Sequence, residues 1–401
     1  MGMRWLVGLT VALVSSRAAA EPISLARAIE DGARRGPAVA EAQKVRLATA
    51  ELERDHGSAL PSVPQATVMA GARDPRGLPL GPEVVLTVQQ EVSFRGLGLA
   101  RKNAAEWAAR AAGSEVERAR LEGAAVAALQ WVTLLETQEL QRVRETAAAD
   151  ATKLEKIADA RATAGVVTGA ERSLAKAEVG AAKLALLDGE GRALEARLAL
   201  AHAMGKPLDV ALTAEGALDT PVAVASSPRT PAIDAAEARA HQASAEANVA
   251  HAVSGPTFFF GASAWREGSG DKAAVAIVSV PLPFFDPARY DAAKQNVLAF
   301  TAAARTERLR LELDQQTRLA QHEREHTREV KKTIDESVLI PVRAALTTAM
   351  TSYAAGTGEL SVVLLARRSA FAAEEQAIHA TAEVERADIK HAALTGTLVP
   401  R

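Results

Sequence analysis

The chain has 401 residues, and its 47 basic and 49 acidic residues leave a net charge of −2, which gives no reason to expect nucleic acid as a partner. It has no cysteine, which excludes disulfides, thiolate metal sites and an acylated N-terminal cysteine. Aromatic residues make up only 3% of the chain, which is a small share for a protein with compact cores. The abundance of Ala, Glu, Leu and Arg instead favours long helices or coiled coils.

Residues 1–20 have the pattern of a signal peptide. Arg4 supplies the positive charge, residues 5–14 the apolar core, and residues 18–20 a small-residue cleavage site. The apolar run is too short to cross a membrane as a helix, and no later segment is long and apolar enough to do so. We therefore expect an exported chain that could enter a membrane only as β-strands.

Helical periodicity, bounded by proline and glycine, predicts the helical segments of the chain. They are residues 24–59 with a break at Gly36-Pro37, 99–164, 168–204, 232–253, 287–355 with a kink at Pro341, and 359–393. Alternating or β-branched sequence predicts strands at residues 64–73, 82–94, 257–266 and 272–283. In the second strand, one face is predicted to carry Val84, Leu86 and Val88, and the other Val85, Thr87, Gln89 and Glu91.

The order of elements repeats once. Gly165 and Gly356, 191 residues apart, each end a long helix, and Phe94 and Phe284, 190 residues apart, each lie at a strand-to-helix junction. Each repeat therefore contains a helix, a β-hairpin and a long helical hairpin. The predicted divisions are residues 21–204 for the first repeat, 205–231 for a linking segment with four prolines, and 232–401 for the second repeat.

The length of the helices and the number of strands restrict the architecture. A helix over residues 99–164 is about 100 Å long and needs neighbours along its whole length. Four strands cannot close a barrel, and open edges are not tolerated in lipid. The sheet is therefore either a soluble structure or part of a barrel that several chains close together. Strands of about ten residues, the length that crosses an outer membrane, favour the second alternative.

Several segments carry a resemblance to a known family. They are "SLARAIEDGARRGPAVAEAQ" from Ser24, "ALPSV" before the first strand, "VSVPLPFFD" from Val278, and Tyr353-x-x-Gly356 followed by "ELSVVLLARRS". Together with the duplicated layout, they resemble the TolC-type outer-membrane efflux protein family, and "VSVPLPFFD" is similar to its heavy-metal-resistance branch.

The resemblance implies a fold that is mainly α, with a β-hairpin in each of two repeats. It implies a homotrimer whose twelve strands form an outer-membrane β-barrel above a helical barrel in the periplasm of a Gram-negative bacterium, with residues 205–231 in an equatorial layer. The implied partners are outer-membrane lipid, a periplasmic adaptor (membrane fusion) protein and an inner-membrane pump of RND or ABC type.

In this reading the chain is an exit duct for metal ions or small toxic molecules, and neither an enzyme nor a cofactor protein. Two alternatives stay open. One is the exit channel of a type I protein or peptide secretion system, which shares the architecture. The other is a soluble periplasmic coiled-coil scaffold whose strands never enter lipid.

The resemblance also assigns roles to the two glycine turns. Gly165 with Thr168, and Gly356 with Glu359, would lie where the adaptor docks. A plainer interpretation is that the glycines only end their helices, since glycine readily adopts positive φ.

A gate is expected beside these turns. Val362 and Leu365 stand six and nine residues after Gly356, where the best-known family member has aspartates, so we expect an apolar constriction. Glu171 and Tyr353 match positions that lock the closed state, although Gly358 replaces the expected arginine. The plainer interpretation is a solvated glutamate and a packed tyrosine.

His322 and His326 are separated by one helical turn, a spacing that suits a metal ion such as zinc. The sequence offers no third ligand nearby, so a charged, solvated helix face is the favoured interpretation. Nothing resembles a Ser-His-Asp set, a phosphate-binding loop or a pair of catalytic carboxylates, and no catalysis is assigned.

Overall fold

The structure is a computed structural model that describes most of the chain. The described residues are 20–55, 62–73, 81–93, 96–219, 230–254, 257–267, 270–280 and 288–398. Residues 1–19 of the predicted signal peptide, Phe94, and the segment 281–287 with the predicted junction at Phe284 lie outside them.

The described residues are mainly helical, as predicted. The helices are α1 (Leu25–Arg35), α2 (Pro37–Asp55), α3 (Leu97–Thr163), α4 (Gly169–Ala203), α5 (Pro231–Val253), α6 (Ala288–Thr333), α7 (Ile340–Ala354) and α8 (Leu360–Leu394). The strands are β1 (Glu21–Ile23), β2 (Gln65–Arg73), β3 (Gly81–Ser93), β4 (Leu212–Ala214), β5 (Thr257–Arg266) and β6 (Lys272–Ser279). Among the described residues, no helix combines the length and the apolar character that crossing a membrane requires.

Proline determines where two of the helices change. Pro37 opens α2 directly after Gly36, which confirms the predicted break. Residues Ile334–Leu339 form a π-helical turn between α6 and α7, just before Pro341. Proline has no N–H, and its ring crowds the carbonyl four residues earlier, so a wider turn relieves the contact. The irregularity predicted at Pro341 is therefore present as a π-helical turn.

The four longer strands form one antiparallel sheet in the order β2-β3-β5-β6. The two predicted hairpins, β2-β3 and β5-β6, are both formed, and β3 joins them by pairing with β5 from Val84 opposite Arg266 to Ser93 opposite Thr257. Strands β2 and β6 are left as the edges of the sheet. The fold class predicted from the sequence, mainly α with one hairpin in each repeat, is confirmed.

The two faces of this sheet differ in chemistry. Paired residues of an antiparallel sheet share a face. One face is almost entirely apolar and carries Val68, Ala70, Val84, Leu86, Val88, Phe260, Ala262, Ala264, Ala274, Ala276 and Val278. On the other face, the hydroxyl groups of Thr87 and Ser263 share a hydrogen bond of 2.9 Å beside Gln89 and Thr67. The predicted alternation along the second strand is confirmed.

A second, smaller sheet was not predicted. Strand β1 pairs in parallel with β4, which lies inside the predicted linking segment. The buried Trp131 ring nitrogen donates a hydrogen bond of 2.7 Å to the Ile23 carbonyl oxygen, and Lys206 pairs with Glu21 at 2.5 Å. These contacts attach strand β1 to α3 and to the segment after α4.

The chain divides into two compact units. One contains Met1–Asp31, Val126–Pro221 and Arg328–Arg386, and the other contains Gly32–Ala125, Val222–Thr327 and Ala387–Arg401. Each unit therefore combines segments from both predicted repeats. The small sheet belongs to the first unit and the four-stranded sheet to the second.

Small residues allow the helices of the second unit to approach closely. Val39 and Ala42 of α2 pack against Val116 and Ala119 of α3 in a buried cluster. At Gly123 the approach is closer still, because a Cβ atom there would overlap the carbonyl oxygen of Gly32 and lie 3.3 Å from Val39 Cγ2. Only glycine fits at this point of α3.

We predict that Gly123→Ala destabilises the protein by about 1–3 kcal/mol, because the added methyl group overpacks the contact with Gly32. Gly113→Ala, in the same helix, is the matched control, since nothing lies within 4 Å of its added Cβ atom. It should leave the thermal midpoint unchanged or raise it, because alanine favours the helix. Equal midpoints for the two variants would contradict the close approach at Gly123.

Candidate functional site

The two predicted turn glycines both adopt the left-handed backbone conformation that favours glycine. Gly165 has φ of +72° and Gly356 has φ of +81°. In each turn the N–H of the residue after the glycine donates a hydrogen bond of 3.0 Å to the carbonyl four residues before the glycine. These bonds run from Val166 to Arg161 and from Thr357 to Ser352. Both glycines therefore end their helices as compact caps.

The residues that follow the turns begin the next helices. Thr168 precedes α4 with an extended backbone, and its carbonyl oxygen accepts the Glu171 N–H at 3.2 Å. Glu359 precedes α8, and its carboxylate accepts the Ser361 hydroxyl at 3.1 Å. Thr168 and Glu359 are exposed, as are both turn glycines. The four predicted docking residues are thus accessible within this chain.

Tyr353, a predicted gate residue, is buried against an arginine that the sequence did not single out. Arg161 Nη1 donates a hydrogen bond of 3.1 Å to the Tyr353 carbonyl oxygen, and its guanidinium lies 4.4 Å from the centre of the tyrosine ring. The same carbonyl accepts the Gly356 N–H at 3.1 Å. The Arg161 main chain closes the first turn, so this one residue takes part in both turns.

The hydroxyl of Tyr353 is buried and has no hydrogen-bond partner among the described residues. Burial raises the pKa of this hydroxyl; the Arg161 charge opposes the shift, and the Glu171 charge adds to it. Glu171 is therefore close enough to act on Tyr353 electrostatically, without a direct hydrogen bond to its hydroxyl. A gating role for the pair stays a prediction.

A hydrophobic cluster packs the helices beside the turns. Its buried members come from α3, α4, α7 and α8: Leu154, Ala158, Ala175, Ala349, Tyr353, Leu360, Val363 and Leu364. The two apolar gate candidates are not among them. Val362 is 53% exposed and Leu365 is 69% exposed, one helical turn apart on α8. They present an apolar surface that the described residues leave largely exposed.

Sequence reasoning also missed a buried ion pair farther along the same helices. Arg367 Nη1 of α8 pairs with Glu178 Oε1 of α4 at 2.6 Å, and Arg367 Nη2 donates to the Ala147 carbonyl oxygen of α3. Arg368 pairs with the other carboxylate oxygen of Glu178 at 3.0 Å. Burial lowers the pKa of the Arg367 guanidinium, and the Glu178 charge opposes that shift. Arg367 thus connects three helices.

His322 and His326 lie on one face of α6, as predicted. Their rings stack with centroids 6.2 Å apart, and both side chains are exposed. Within the part of the chain that the structure describes, no three His, Cys, Asp or Glu side chains form a group that could hold a metal ion. The histidine pair therefore has no third ligand among the described residues.

Comparison with protein families matches residues 225–397 to the outer membrane efflux protein family. The comparison with curated proteins gave no match. The family match confirms the resemblance found in the sequence, and the description of that family agrees with the predicted outer-membrane location and with an efflux channel.

Solved structures of outer-membrane channels share the fold of the chain. The OprN channel is 19% identical, with a TM-score of 0.79, and the match covers 93% of this chain and 90% of that chain. VceC from Vibrio cholerae is 19% identical, with a TM-score of 0.77 and coverage of 94% and 97%. CmeC from Campylobacter jejuni is 15% identical, with a TM-score of 0.76 and coverage of 93% and 85%. At these identities the likeness concerns the fold alone.

We predict that Tyr353→Phe leaves the thermal midpoint unchanged or raises it, because it removes a buried hydroxyl that has no partner. Tyr353→Ala should cost about 3–5 kcal/mol, since it empties the space that the ring fills in the cluster. Thermal unfolding of both variants checks this. A marked loss of stability in the phenylalanine variant would mean that the hydroxyl has a hydrogen-bond partner, either Glu171 as predicted or the neighbouring Arg161.

Proposed function

Because residues 225–397 match the outer membrane efflux protein family, we propose that the chain is the exit duct of a tripartite efflux pump. It passes metal ions or small toxic molecules from the periplasm to the exterior and leaves them chemically unchanged. An adaptor protein docks at the turns of Gly165 and Gly356, and an inner-membrane pump of RND or ABC type supplies the energy. The family match carries this proposal.

The two-faced sheet supports a place in lipid. Its apolar face carries large exposed side chains, with Val84, Leu86 and Val88 each 45% exposed. On that face Arg266 of β5 and Lys272 of β6 lie opposite each other in the strand register, at one end of the sheet. An apolar face with charge confined to its end is the pattern of strands that face lipid on one side and an aqueous lumen on the other.

The edges of the sheet support a homotrimer. Among the described residues, strands β2 and β6 each have one side without a partner, and open edges are not stable in lipid. If β6 of one protomer pairs with β2 of the next, three chains close twelve strands into a barrel without an edge. The lumen face then carries hydroxyl and amide groups such as those of Thr67, Thr87 and Gln89.

The exposure of the two glycine turns supports the proposed docking of the adaptor protein. The exposure of the apolar side chains of Val362 and Leu365 supports the proposed gate. Gly165, Thr168, Gly356 and Glu359 are accessible at the ends of helices, where a partner can reach them. In a trimer, Val362 and Leu365 would be repeated three times around the axis and would form an apolar constriction. Such a constriction closes a channel when water leaves it.

A deletion strain tests the function. Loss of the gene should lower resistance to one or more metals or drugs across a panel of both, and the wild-type gene should restore it. Unchanged resistance across the panel, with impaired export of a protein or peptide, would favour the secretion alternative. Recovery of the chain in the soluble fraction would overturn both.

We predict that Val88→Arg prevents assembly in the outer membrane, because it places a charge on the apolar face at a cost of about 2–4 kcal/mol near the middle of the bilayer. Gln89→Arg is the matched control, since the neighbouring side chain lies on the opposite face. The measurement is the amount of heat-resistant trimer in the outer-membrane fraction. Equal trimer yields for the two variants would contradict a lipid-facing apolar face.

A further inference from the structure

Two cations interrupt the apolar face of the four-stranded sheet at one end. Arg266 is the last residue of β5 and lies opposite Lys272, the first residue of β6, and both side chains are exposed. Neither of them has an ion-pair or hydrogen-bond partner among the described residues. Like charges at directly opposed positions of two strands repel each other. An anion that lies between the two side chains would remove this repulsion.

The carboxylates nearest to this pair do not supply that anion. Glu267 and Asp271 are the next residues toward the turn, where the Glu267 N–H donates a hydrogen bond of 2.9 Å to the Asp271 carbonyl oxygen. Because successive side chains of a strand point to opposite faces, both carboxylates are directed to the face opposite to the two cations. The counter-ion of Arg266 and Lys272 therefore has to come from outside the described chain.

The position of the cations along the strands corresponds to a membrane boundary. Ser93 and Thr257 pair at the end of the sheet that leads into the helices, and Val84 and Arg266 pair nine residues farther on. At about 3.4 Å per residue this is about 30 Å along the strand, or about 23 Å along the membrane normal for a tilt of about 40°. The apolar band of an outer-membrane barrel is about 25 Å tall. The cations therefore lie near the boundary of that band, where lipid headgroups begin.

A shallow apolar groove begins at the two cations. Its volume is about 580 Å³, which lies in the range of sites for small ligands. Besides Arg266 and Lys272, its lining includes Val84, Leu86, Ala264 and Ala274. The small alanine side chains leave room beside the larger valine and leucine. An apolar groove with two positive charges at one end is complementary to a molecule that has an apolar chain and an anionic head.

We propose that this groove binds a phosphate-bearing lipid of the outer leaflet. The phosphate lies between Arg266 and Lys272, and one acyl chain lies along Ala264 and Ala274. A guanidinium offers paired N–H donors to phosphate oxygens, and an ammonium adds a second positive charge. A soluble anion would use only the cations, and a neutral lipid only the groove. The inference rests on the proposed function, because it needs the sheet in lipid and the helices in the periplasm.

Native mass spectrometry of the trimer, purified in a neutral detergent, tests the site. The probe is lipid A, a phosphorylated glycolipid, and one site in each protomer gives three in the trimer. Arg266→Gln combined with Lys272→Gln should weaken its binding about 25-fold, because each cation at a lipid surface changes the affinity roughly fivefold. Equal affinities for this double variant and the wild type would mean that the cations are only solvated by water, and would overturn the inference.

Lys183→Gln combined with Arg197→Gln is the matched control. It also removes one exposed lysine and one exposed arginine, both from α4 and not from the sheet, so the affinity for lipid A should stay unchanged. An equal loss in the control would mean that overall charge attracts the lipid, which contradicts a site at Arg266 and Lys272. If the double variant of the sheet does not assemble, Lys272→Gln replaces it, and an affinity that does not fall about fivefold would overturn the inference.

Two further measurements distinguish a lipid from a free anion. Ala264→Leu fills part of the groove and keeps both cations, so it should weaken the binding of lipid A severalfold. Inorganic phosphate in large excess should not displace lipid A, because it cannot occupy the groove. Displacement by phosphate, or full affinity in Ala264→Leu, would leave only an anion site and contradict the lipid. Lipid A without its phosphates should bind to the wild type as weakly as lipid A binds to the double variant.

Failure of this inference and failure of the proposed function give different results. If the chain forms no heat-resistant trimer in the outer membrane, the proposed place of the sheet in lipid is wrong, and the lipid site is wrong with it. If the trimer forms and restores resistance but binds lipid A equally well without the two cations, only the lipid site is wrong. Binding of lipid A does not depend on export, so a trimer that binds it through these cations without restoring resistance contradicts the efflux function alone.

Discussion

Close approach of helices over small side chains is the constraint on which the rest of the structure depends. Helix α3 runs for 67 residues, far longer than a helix can hold without neighbours along its length. Alanine fills many of its buried positions, and at Gly123 there is no side chain at all. Because the helices lie so close together, each residue buries only a small apolar volume. The stability of the helix packing is therefore the sum of many small contacts along the length of the helices. It also brings charged side chains of neighbouring helices within reach of one another.

The sequence predicted the long elements well because glycine and proline mark where they end. The break at Pro37, the irregular turn before Pro341 and the strand Thr257–Arg266 all lie where the pattern placed them. The parallel pair β1–β4 could not be found in this way. Strands of three residues have no periodicity to detect, and their pairing depends on contacts such as that of Trp131 with Ile23, which lie far apart in the sequence.

The candidate site shows the same contrast. Gly165 and Gly356 were predictable because a left-handed backbone conformation requires glycine. Arg161 was not, since its acceptor is a main-chain carbonyl, which every residue offers. Arg367 and Glu178 are 189 residues apart, and the spacing rules that identify ion pairs within one helix do not apply to them. Sequence therefore identified the backbone of the site, and the structure was needed to find the side chains that connect it.

The contact between Arg161 and Tyr353 shows that the two repeats differ at their turns. Arg161 stands four residues before its turn glycine, where the second repeat has Ser352. Tyr353 stands three residues before its own, where the first repeat has Ala162. Each repeat thus carries one half of the contact, the arginine in the first and the ring in the second. Two copies of the first repeat would have two arginines and no ring to receive them, and two copies of the second would have two rings and no cation. The repeats share an order of elements but are no longer interchangeable at the turns, because the interaction that joins them needs one of each.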